Sequence, residues 1–223
     1  MHLHILGICG TFMGGIAAIA KAAGHRVTGS DRNVYPPMST QLAALGIEVV
    51  EGFEPGQLDS QPDVVVVGNV MSRGHPVIEA LLERDIPFVS GPEWLAREVL
   101  RERWVLAVAG THGKTTTSAM LAWILSQHQP IQAFLGGIAT NFNSNCLPGP
   151  AEVSVVEADE FDRSFLHLHP SAAVITSTDA DHLDIYGSLD AVVEAFHQFA
   201  MLIPPTEQGG KLLIGHDNAH RRE

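Results

Sequence analysis

The chain has 223 residues, of which 45% are hydrophobic, so it is long enough to bury one or two apolar cores. Its formal net charge of −12 argues against nucleic-acid binding, because phosphate backbones require a basic face. Cys9 and Cys146 fit no metal-ligand spacing or disulfide framework and are interpreted as reduced thiols. The N-terminus MHLHILG is not a signal peptide, and no apolar run approaches the roughly 20 residues that span a bilayer. A cytoplasmic protein without membrane partners is expected.

The first hundred residues alternate short apolar segments with amphipathic ones. Strands are predicted at His2–Gly7, Arg26–Gly29, Ile47–Glu51, Asp63–Val67 and Pro87–Ser90. Helices are predicted between them at Gly14–Ala23, Ser39–Leu45, Pro76–Arg84 and Pro92–Leu100. Runs such as VVVV at 64–67 are apolar on both faces, which indicates a parallel sheet covered by helices on both sides. The pattern predicts a Rossmann-like α/β domain over residues 1–102.

The first predicted strand is followed by GICGTFMGG, a glycine cluster at the start of a helix. Backbone amides in such a turn can dock a diphosphate, although tight packing of strand against helix would also require small residues. A dinucleotide fingerprint wants glycines at positions 7, 9 and 12, and the chain has Cys9 and Phe12, which weakens NAD binding but leaves it an alternative. Asp31, which ends the second strand, can accept hydrogen bonds from a ribose or base. The candidate ligand-binding residues are Gly7, Gly10, Thr11, Gly14 and Asp31.

A second motif, WVLAVAGTHGKTTT at residues 104–117, runs from an apolar strand through a glycine turn into a helix. The turn amides and the helix N-terminus favour a triphosphate, Lys114 supplies a mobile cation, and the Thr115 hydroxyl is a candidate Mg²⁺ ligand. The motif departs from the standard P-loop, since Val108 stands where a glycine is expected and the glycine comes at Gly110. ATP binding is predicted through Gly110, Thr111, His112, Gly113, Lys114, Thr115 and Thr116.

A second alternating α/β series surrounds this loop. Strands are predicted at Gln132–Leu135, Val153–Glu157, Ala172–Thr176 and Lys211–Gly215, and helices at Thr115–Gln127 and Leu189–Leu202. They predict a P-loop ATP-binding α/β domain over residues 103–223, after a boundary near Arg101–Arg103. The chain stops at HDNAHRRE, soon after a strand, so this second domain is expected to be incomplete and the chain to be a fragment of a longer enzyme.

Acidic residues and a histidine follow two strands of the second series, in EADEFD at 157–162 and STDADHLDIYG at 177–187. Because carboxyl ends of parallel strands meet at one edge, both segments should lie beside the phosphate loop. Glu157 and His182 are predicted Mg²⁺ ligands, although a histidine is unusual for a hard ion and a hydrogen-bonding role stays open. His167 and His169 are predicted to line a strand edge. The remaining acidic residues are interpreted as outer groups or helix caps: Asp159, Glu160, Asp179, Asp181 and Asp184.

By these motifs the chain resembles the Mur ligases, ATP-dependent enzymes that build the peptide of bacterial peptidoglycan. AGTHGKTTT, VEADE and DADHLDIYG stand in the family's order and spacing, and the resemblance spans essentially the whole chain. It implies a UDP-sugar-binding first domain, an ATP-binding central domain that lacks its adenine pocket, and a missing C-terminal domain. It also implies catalytic roles for Lys114, Glu157 and His182, with Mg²⁺ held by Thr115, Glu157 and His182, and places the first glycine cluster and Asp31 against UDP.

Different segments of the chain resemble two different branches of that family. Both branches use UDP-N-acetylmuramate as a substrate. GICGTFMGG, GSDRNVYPPMS and GNVMSRGHP look like the branch that attaches the murein tripeptide L-alanyl-γ-D-glutamyl-meso-diaminopimelate in cell-wall recycling, which is the preferred interpretation. The stretch EADEFDRSFLHLHPSAAVITSTDADHLDIYG looks more like the branch that attaches L-alanine. The helix AVVEAFHQFAMLIP lacks the carbamylated lysine of several relatives, as both branches do. In either branch, ATP would turn the lactyl carboxylate into an acyl phosphate that the amine attacks.

Two other functions stay open from the residues alone. One is an NAD-dependent oxidoreductase built on residues 1–100, and the other is a non-catalytic UDP-sugar-binding fragment. Because an incomplete chain lacks the adenine pocket and the domain that presents the amine, negligible ligase activity is expected from these residues by themselves.

Overall fold

The computed structural model describes residues 1–215, and the chain divides into two compact units. The first unit is Met1–Trp94 and the second begins at Leu95. The domain limits 1–102 and 103–223 stay a prediction, and the segment HDNAHRRE, on which the expectation of a fragment rests, lies outside the described residues. Within residues 1–215, no helix has the length and apolar character needed to cross a membrane.

The first unit is a parallel sheet with helices between its strands. Along the chain its elements are β1 (His2–Leu6), α1 (Thr11–Ala22), β2 (Arg26–Asp31), α2 (Met38–Ala44), β3 (Glu48–Glu51), β4 (Val64–Val67), α3 (Pro76–Glu83), β5 (Phe88–Ser90) and α4 (Gly91–Trp94). The spatial order is β3-β2-β1-β4-β5, and every neighbouring pair is parallel. The predicted α/β class is confirmed for this unit.

The core of the first unit lies along the central strand β1, all of whose residues are buried. Leu6 and Val65 pack with Phe53, Leu58 and Leu81, which come from the segments that cover one face of the sheet. Each fully buried side chain of this size stabilises the fold by about 1.5–3 kcal/mol relative to exposure. This burial on both faces explains why the strands are continuous apolar runs rather than alternating ones.

The second unit is a mixed sheet with one antiparallel edge pair. Its elements are β6 (Trp104–Ala109), α5 (Lys114–Ser126), β7 (Gln132–Ala139), β8 (Ser144–Leu147), β9 (Val153–Glu157), β10 (Ala172–Ile175), α6 (Leu183–Tyr186), α7 (Leu189–Met201) and β11 (Lys211–Ile214). The spatial order is β11-β10-β6-β9-β7-β8, and only β7 and β8 among these neighbours run antiparallel. The central position of β6 places the loop that follows it between the ends of β9 and β10.

Most predicted elements are present with ends shifted by one to three residues, and a few differ in kind. The helix predicted over Pro92–Leu100 is α4 followed by a π-helical segment, Leu95–Leu100. Strand β7 continues to Ala139 and forms an unpredicted hairpin with β8.

The prediction that His167 and His169 line a strand edge is wrong. Residues Phe161–His167 form 3₁₀ turns that the left-handed Asp162 and Arg163 interrupt, and His169 has a positive φ of 45°. The apolar residues Phe165 and Leu168 are buried three positions apart, which is the 3₁₀ period, and the alternating letters FLHLH imitate a strand. Both histidines are exposed.

Strand β7 changes its pairing partway along its length. Its first residues, Gln132 to Phe134, pair in parallel with β9. On the other side, the register with β8 shifts between Phe134 and Ala139. The stretch between these two positions therefore lies outside the regular antiparallel ladder.

Two histidines of β1 share one hydroxyl group in the first unit. His2 Nε2 and His4 Nδ1 each lie 2.9 Å from Thr28 Oγ1, and His4 Nε2 lies 3.4 Å from Ser30 Oγ. Burial, and then the nearby His2, lower the pKa of His4 to about 4. Burial is also the main cause that lowers the pKa of His2. Both rings are therefore held neutral in the folded protein near pH 7.

We predict that the free energy of unfolding falls as the pH drops from 6.5 towards 4. In that window unfolded His4 binds a proton that folded His4 does not, so its contribution is complete above 6.5 and is lost on acidification. The loss attributable to His4 is on the order of 3 kcal/mol. Chemical denaturation from pH 7.5 to 4.5 should show a shallower pH dependence for His4→Gln than for the wild type. The exposed His128→Gln serves as control, and equal slopes for wild type and His4→Gln would contradict the prediction.

Candidate nucleotide-binding site

Three loops of the second unit meet at the carboxyl edge of its sheet. Strand β6 pairs with β9 so that Val108 faces Glu157, and with β10 so that Ala109 faces Ile175. The loop 110–113, the segment that begins at Glu157 and the segment 176–182 therefore leave neighbouring strands side by side. The order of the motifs along the chain predicts that these segments lie next to each other, and the pairing of β6 with β9 and β10 shows it.

The loop itself is a glycine turn fastened to the end of β10. Gly110 has φ +129° and Gly113, which caps α5, has φ +80°, both of which favour glycine. A side chain at Gly110 would collide with Thr176 Oγ1 and stand 2.9 Å from the Ser177 amide nitrogen. Val108 is completely buried in β6, so the turn begins two residues later than in the standard P-loop pattern.

Two amides that the sequence analysis assigned to phosphate are engaged within the protein. The Thr111 amide donates to the Ser177 carbonyl at 3.0 Å, and the His112 amide donates to Ser177 Oγ at 3.2 Å. Thr176 Oγ1 donates to the His112 carbonyl at 2.5 Å. These bonds fix the first half of the loop, so the predicted phosphate contacts can come only from its second half, at the helix N-terminus.

Lys114, the first residue of α5, forms ion pairs with two adjacent carboxylates. Its Nζ lies 2.7 Å from Glu160 Oε2 and 3.5 Å from Asp159 Oδ1. Burial alone would lower the pKa of Lys114, but the hydrogen bond and charge of Glu160, with help from Asp159 and Glu157, outweigh it and raise that pKa. The lysine is therefore a fully charged ammonium at the mouth of the loop.

Glu157, at the end of β9, collects donors from two other elements. Its Oε1 accepts from Thr115 Oγ1 at 2.8 Å, and its Oε2 accepts from the Gly136 amide at 2.7 Å and from Ser118 Oγ at 3.3 Å. A side chain at Gly136 would overlap the Glu157 carboxylate. Sequence reasoning missed Ser118 and Gly136. The spacing of Ser118 one helical turn after Thr115 is the signal that could have revealed it.

His182 has different neighbours from those predicted. It has a positive φ of 52°, its amide donates to Asp181 Oδ1, and its ring packs edge-on against Phe161 with centroids 5.2 Å apart. Across residues 1–215, no group of three or more His, Cys, Asp or Glu side chains is arranged to hold a metal ion. The structure thus joins Thr115 to Glu157, whereas the metal set that includes His182 stays a prediction.

The residues after EADE turn back towards α6. The Tyr186 hydroxyl donates to the Glu160 carbonyl at 2.5 Å, and the Arg163 guanidinium lies 5.5 Å from the centre of the Tyr186 ring. Asp162 and Arg163 both have positive φ, at 48° and 63°. Such consecutive left-handed residues are held only where the surroundings determine the backbone closely.

In the first unit, the glycine cluster forms a turn that Asp31 holds in place. Gly7 has φ +81° and its carbonyl accepts from the Gly10 amide at 3.1 Å. Asp31 Oδ2 accepts from the Cys9 amide and Oδ1 from the Asn33 amide, both at 2.9 Å. The carboxylate predicted to meet a ribose or base therefore stabilises the glycine turn and its own loop.

The other residues predicted for this turn lie in α1. Thr11 is its first residue, and Gly14 follows one turn later. A side chain at Gly14 would overlap the Met38 methyl group, so this glycine serves close packing against α2. The packing interpretation therefore accounts for Gly14, while Gly7 and Gly10 shape the turn.

A set of contacts that sequence reasoning missed joins Arg32 after β2, Phe53 after β3 and His75 at the start of α3. The Arg32 guanidinium lies 5.7 Å from the centre of the Phe53 ring, and its Nη2 lies 3.0 Å from His75 Nε2. Phe53 and His75 are edge-on with centroids 5.6 Å apart. Arg32 is exposed and comes directly after Asp31, so it adds positive charge at the carboxyl edge of this sheet.

Two family models match the chain in succession. One, described as the catalytic domain of the Mur ligase family, matches residues 2–103, and the Mur ligase middle domain matches residues 108–223.

Individual proteins match as well. A UDP-N-acetylmuramate–L-alanyl-γ-D-glutamyl-meso-2,6-diaminoheptandioate ligase of Escherichia coli (strain K12) is 50% identical over 212 residues, which are 92% of this chain and 46% of that protein. A UDP-N-acetylmuramate–L-alanine ligase of Rubrobacter xylanophilus is 41% identical over 223 residues, which are 100% of this chain and 49% of that protein. The chain thus spans about half the length of these curated relatives.

A solved structure is similar to the chain over nearly its whole length. The crystal structure of a UDP-N-acetylmuramate:L-alanyl-γ-D-glutamyl-meso-diaminopimelate ligase from Neisseria meningitides superposes with a TM-score of 0.91 at 44% identity, covering 98% of this chain and 72% of that chain.

We predict that Gly110→Ala destabilises the second unit far more than Gly113→Ala. At Gly113 a methyl group meets nothing within 4 Å, so the cost is the positive φ alone, about 1–2 kcal/mol. At Gly110 the strained φ combines with a clash against Thr176 and Ser177, which should exceed about 3 kcal/mol. Chemical denaturation measures both, and similar losses for the two variants would contradict the described loop geometry.

Proposed function

Because this chain belongs to the Mur ligase family, we propose that it is part of an ATP-dependent ligase that joins the carboxylate of UDP-N-acetylmuramate to the amine of L-alanyl-γ-D-glutamyl-meso-diaminopimelate. The tripeptide is supported by the name of the Escherichia coli relative and by that of the Neisseria structure. The observation that carries the ATP half of the proposal is the meeting of Lys114, Thr115 and Glu157 at one sheet edge.

In this proposal the triphosphate binds at the start of α5. The Lys114 ammonium contacts the outer phosphates, and the amides at the helix N-terminus bind their oxygens. The assigned residues are Gly110, Thr111, His112, Gly113, Lys114, Thr115 and Thr116. Since Thr111 and His112 use their amides to anchor the turn, their contribution is to hold the following residues in position.

Mg²⁺ is implied by the family, and the residues present fit it at Thr115 and Glu157. Both offer hard oxygen donors, 2.8 Å apart, and Mg²⁺ takes few protein ligands beside phosphate oxygens and water. Ser118 and the Gly136 amide orient the Glu157 carboxylate. When bound, the ion supplies charge neutralisation on the transferring phosphoryl group. His182 is kept as a catalytic and metal-associated residue by proposal, on the family resemblance of DADHLDIYG.

The uridine diphosphate portion of the sugar substrate is assigned to the first unit. Gly7 and Gly10 shape the turn at the start of α1, Thr11 begins the helix, and Asp31 holds the turn through the Cys9 amide. Arg32, directly after Asp31, supplies the positive charge that an anionic diphosphate needs in an acidic chain.

Phosphoryl transfer depends on position and charge more than on covalent chemistry by the protein. The Lys114 ammonium stabilises charge on the phosphoryl group as the lactyl carboxylate attacks it. The amine of the second substrate then displaces phosphate from the acyl phosphate. The residues of this chain serve the first of these steps, because they hold the triphosphate.

UDP-N-acetylmuramate–L-alanine ligation is the second candidate. It is supported by the Rubrobacter relative, which is similar over all of this chain at 41% identity. The higher identity of the tripeptide-adding relative, 50%, favours the tripeptide. An NAD-dependent oxidoreductase gains no support, because residues 2–103 match a Mur ligase domain. We place the reaction in the cytoplasm, where ATP is available. A non-catalytic UDP-sugar-binding role remains the alternative for this chain on its own.

We predict that Lys114→Ala in the complete ligase lowers turnover by about 10²–10³-fold, because it removes an electrostatic stabiliser of the transferring group. Affinity for UDP-N-acetylmuramate should change little, since that ligand is assigned to the first unit. Steady-state phosphate release and calorimetric titration measure the two effects, with the exposed Lys21→Ala as control. A large loss of UDP-N-acetylmuramate affinity in Lys114→Ala would contradict the assignment of two separate sites.

The choice of amine is tested by comparing kcat/KM for the tripeptide with that for L-alanine. We expect the complete ligase to prefer the tripeptide by at least about 100-fold, because the correct amine must bind productively in the transition state. A preference for L-alanine would replace the first candidate by the second.

A further inference from the structure

The two carboxylates beside Lys114 differ sharply in their surroundings. The side chain of Glu160 is 2% exposed, whereas that of Asp159 is 53% exposed. The Glu160 contact with Nζ is 2.7 Å and the Asp159 contact is 3.5 Å. Lys114 itself is 14% exposed, so its ammonium lies between a buried anion and one that faces solvent.

Glu160 is held firmly by its backbone. Its carbonyl accepts from the Tyr186 hydroxyl at 2.5 Å and from the Arg163 amide at 2.9 Å. The left-handed conformations of Asp162 and Arg163 turn the chain back to make the second of these bonds. The carboxylate is therefore presented to Lys114 from a fixed position.

Among residues 1–215, Glu160 depends on Lys114 for compensation of its charge. Its Oε1 is enclosed without a hydrogen-bond partner, and its Oε2 accepts from Lys114 Nζ. A buried charge that loses its partner is strongly destabilising, because no solvent replaces the lost ion. Departure of the ammonium towards a phosphate would leave Glu160 in that condition.

The ammonium does not have to leave Glu160 in order to bind a nucleotide. A lysine Nζ carries three donors, of which Glu160 uses one. The long, exposed contact with Asp159 is weak by comparison, since ion pairs near solvent contribute about 0–1 kcal/mol. A phosphate oxygen can take the place of Asp159 while the buried pair stays intact.

We propose that Glu160 is a positioning residue that keeps its bond to Lys114 when triphosphate binds, and that Asp159 is the partner which phosphate displaces. This inference rests on the proposed ATP site. Glu160 then acts through Lys114, by restricting the flexible ammonium to the mouth of the loop before the nucleotide arrives. The side-chain conformational entropy of Lys114 is therefore lost when the protein folds, and it does not have to be lost when the nucleotide binds.

A purely electrostatic effect makes the opposite prediction for Glu160. If the two carboxylates only repelled the incoming anion, removal of either charge would tighten ATP binding. Asp159→Asn and Glu160→Gln are matched substitutions on adjacent residues, each of which removes one negative charge within 3.5 Å of the same ammonium. Their comparison separates position from charge.

The experiment is calorimetric titration of the complete ligase, as wild type and as variants, with ATP and Mg²⁺. We expect Asp159→Asn to bind as tightly as the wild type or more tightly. We expect Glu160→Gln to bind about fivefold more weakly, because the Lys114 ammonium then donates to a neutral amide oxygen instead of a carboxylate. Glu160→Asp should also bind more weakly, because it keeps the charge but withdraws it by one methylene. This variant keeps the test valid if Glu160→Gln does not fold.

A second measurement follows the lysine directly. The protons of the Lys114 ammonium, observed through its ¹⁵N resonance, should be protected from exchange with solvent in the wild type and in Asp159→Asn with ATP bound. That protection should be lost in Glu160→Gln. An effect of the substitutions on folding alone would not produce this difference in protection between Asp159→Asn and Glu160→Gln.

Equal tightening of ATP binding by Asp159→Asn and Glu160→Gln, or retained protection of the ammonium in Glu160→Gln, would overturn the inference while leaving the ATP site in place. Absence of ATP binding by the wild-type complete ligase would overturn the proposed nucleotide site and this inference together.

Discussion

The Glu157 carboxylate is the point at which the second unit is tied together. It ends the strand next to β6 and receives bonds from α5, through Thr115 and Ser118, and from β7, through the Gly136 amide. These bonds fix the direction of α5 relative to the sheet, and hence the place of Lys114. Because a carboxylate with several donors is rigid, its oxygens are preorganised for the Mg²⁺ that we propose at this site. Everything proposed for the nucleotide depends on this convergence.

The charge arrangement of the site is notable in a chain of formal net charge −12. Lys114 faces Glu157, Asp159 and Glu160, each of which contributes to raising its pKa. Such a lysine stays charged, but it is also shielded, so a polyanion must compete with carboxylates for it. An exposed competitor such as Asp159 is easily replaced, whereas a buried one is not. In the proposed nucleotide site, the balance between these partners would decide whether phosphate binds.

The sequence was sufficient for the parts of the molecule that depend on local pattern. Continuous apolar strands and intervening helices predict the parallel sheet of the first unit and the parallel strands of the second. The glycine turn before Lys114 predicts the place of the proposed nucleotide site. Contacts between residues distant in the chain could not be read in this way. The amide of Gly136 reaches Glu157 across 21 positions, and Glu160 reaches Lys114 across 46, so neither bond has a local signature.

One misinterpretation and one unforeseen role have related physical causes. The segment FLHLH alternates like a strand but follows the three-residue period of a 3₁₀ helix, because its buried residues are Phe165 and Leu168. The ribose or base contact of Asp31 stays a prediction, and the structure adds that its oxygens accept from the Cys9 and Asn33 amides. Residue type and position restrict what a side chain can do, and packing selects among those possibilities.

The change of pairing along β7 has a consequence for the carboxylate at its side. In a regular strand successive amides point to the two neighbouring strands in turn, and the Gly136 amide would donate to a carbonyl of one of them. Because the ladder with β9 ends at Phe134 and the ladder with β8 resumes at Ala139, this amide is withdrawn from the sheet. An interruption of secondary structure thus becomes a source of one oriented donor. A deletion that restored continuous pairing here would give a more regular sheet and an undirected Glu157.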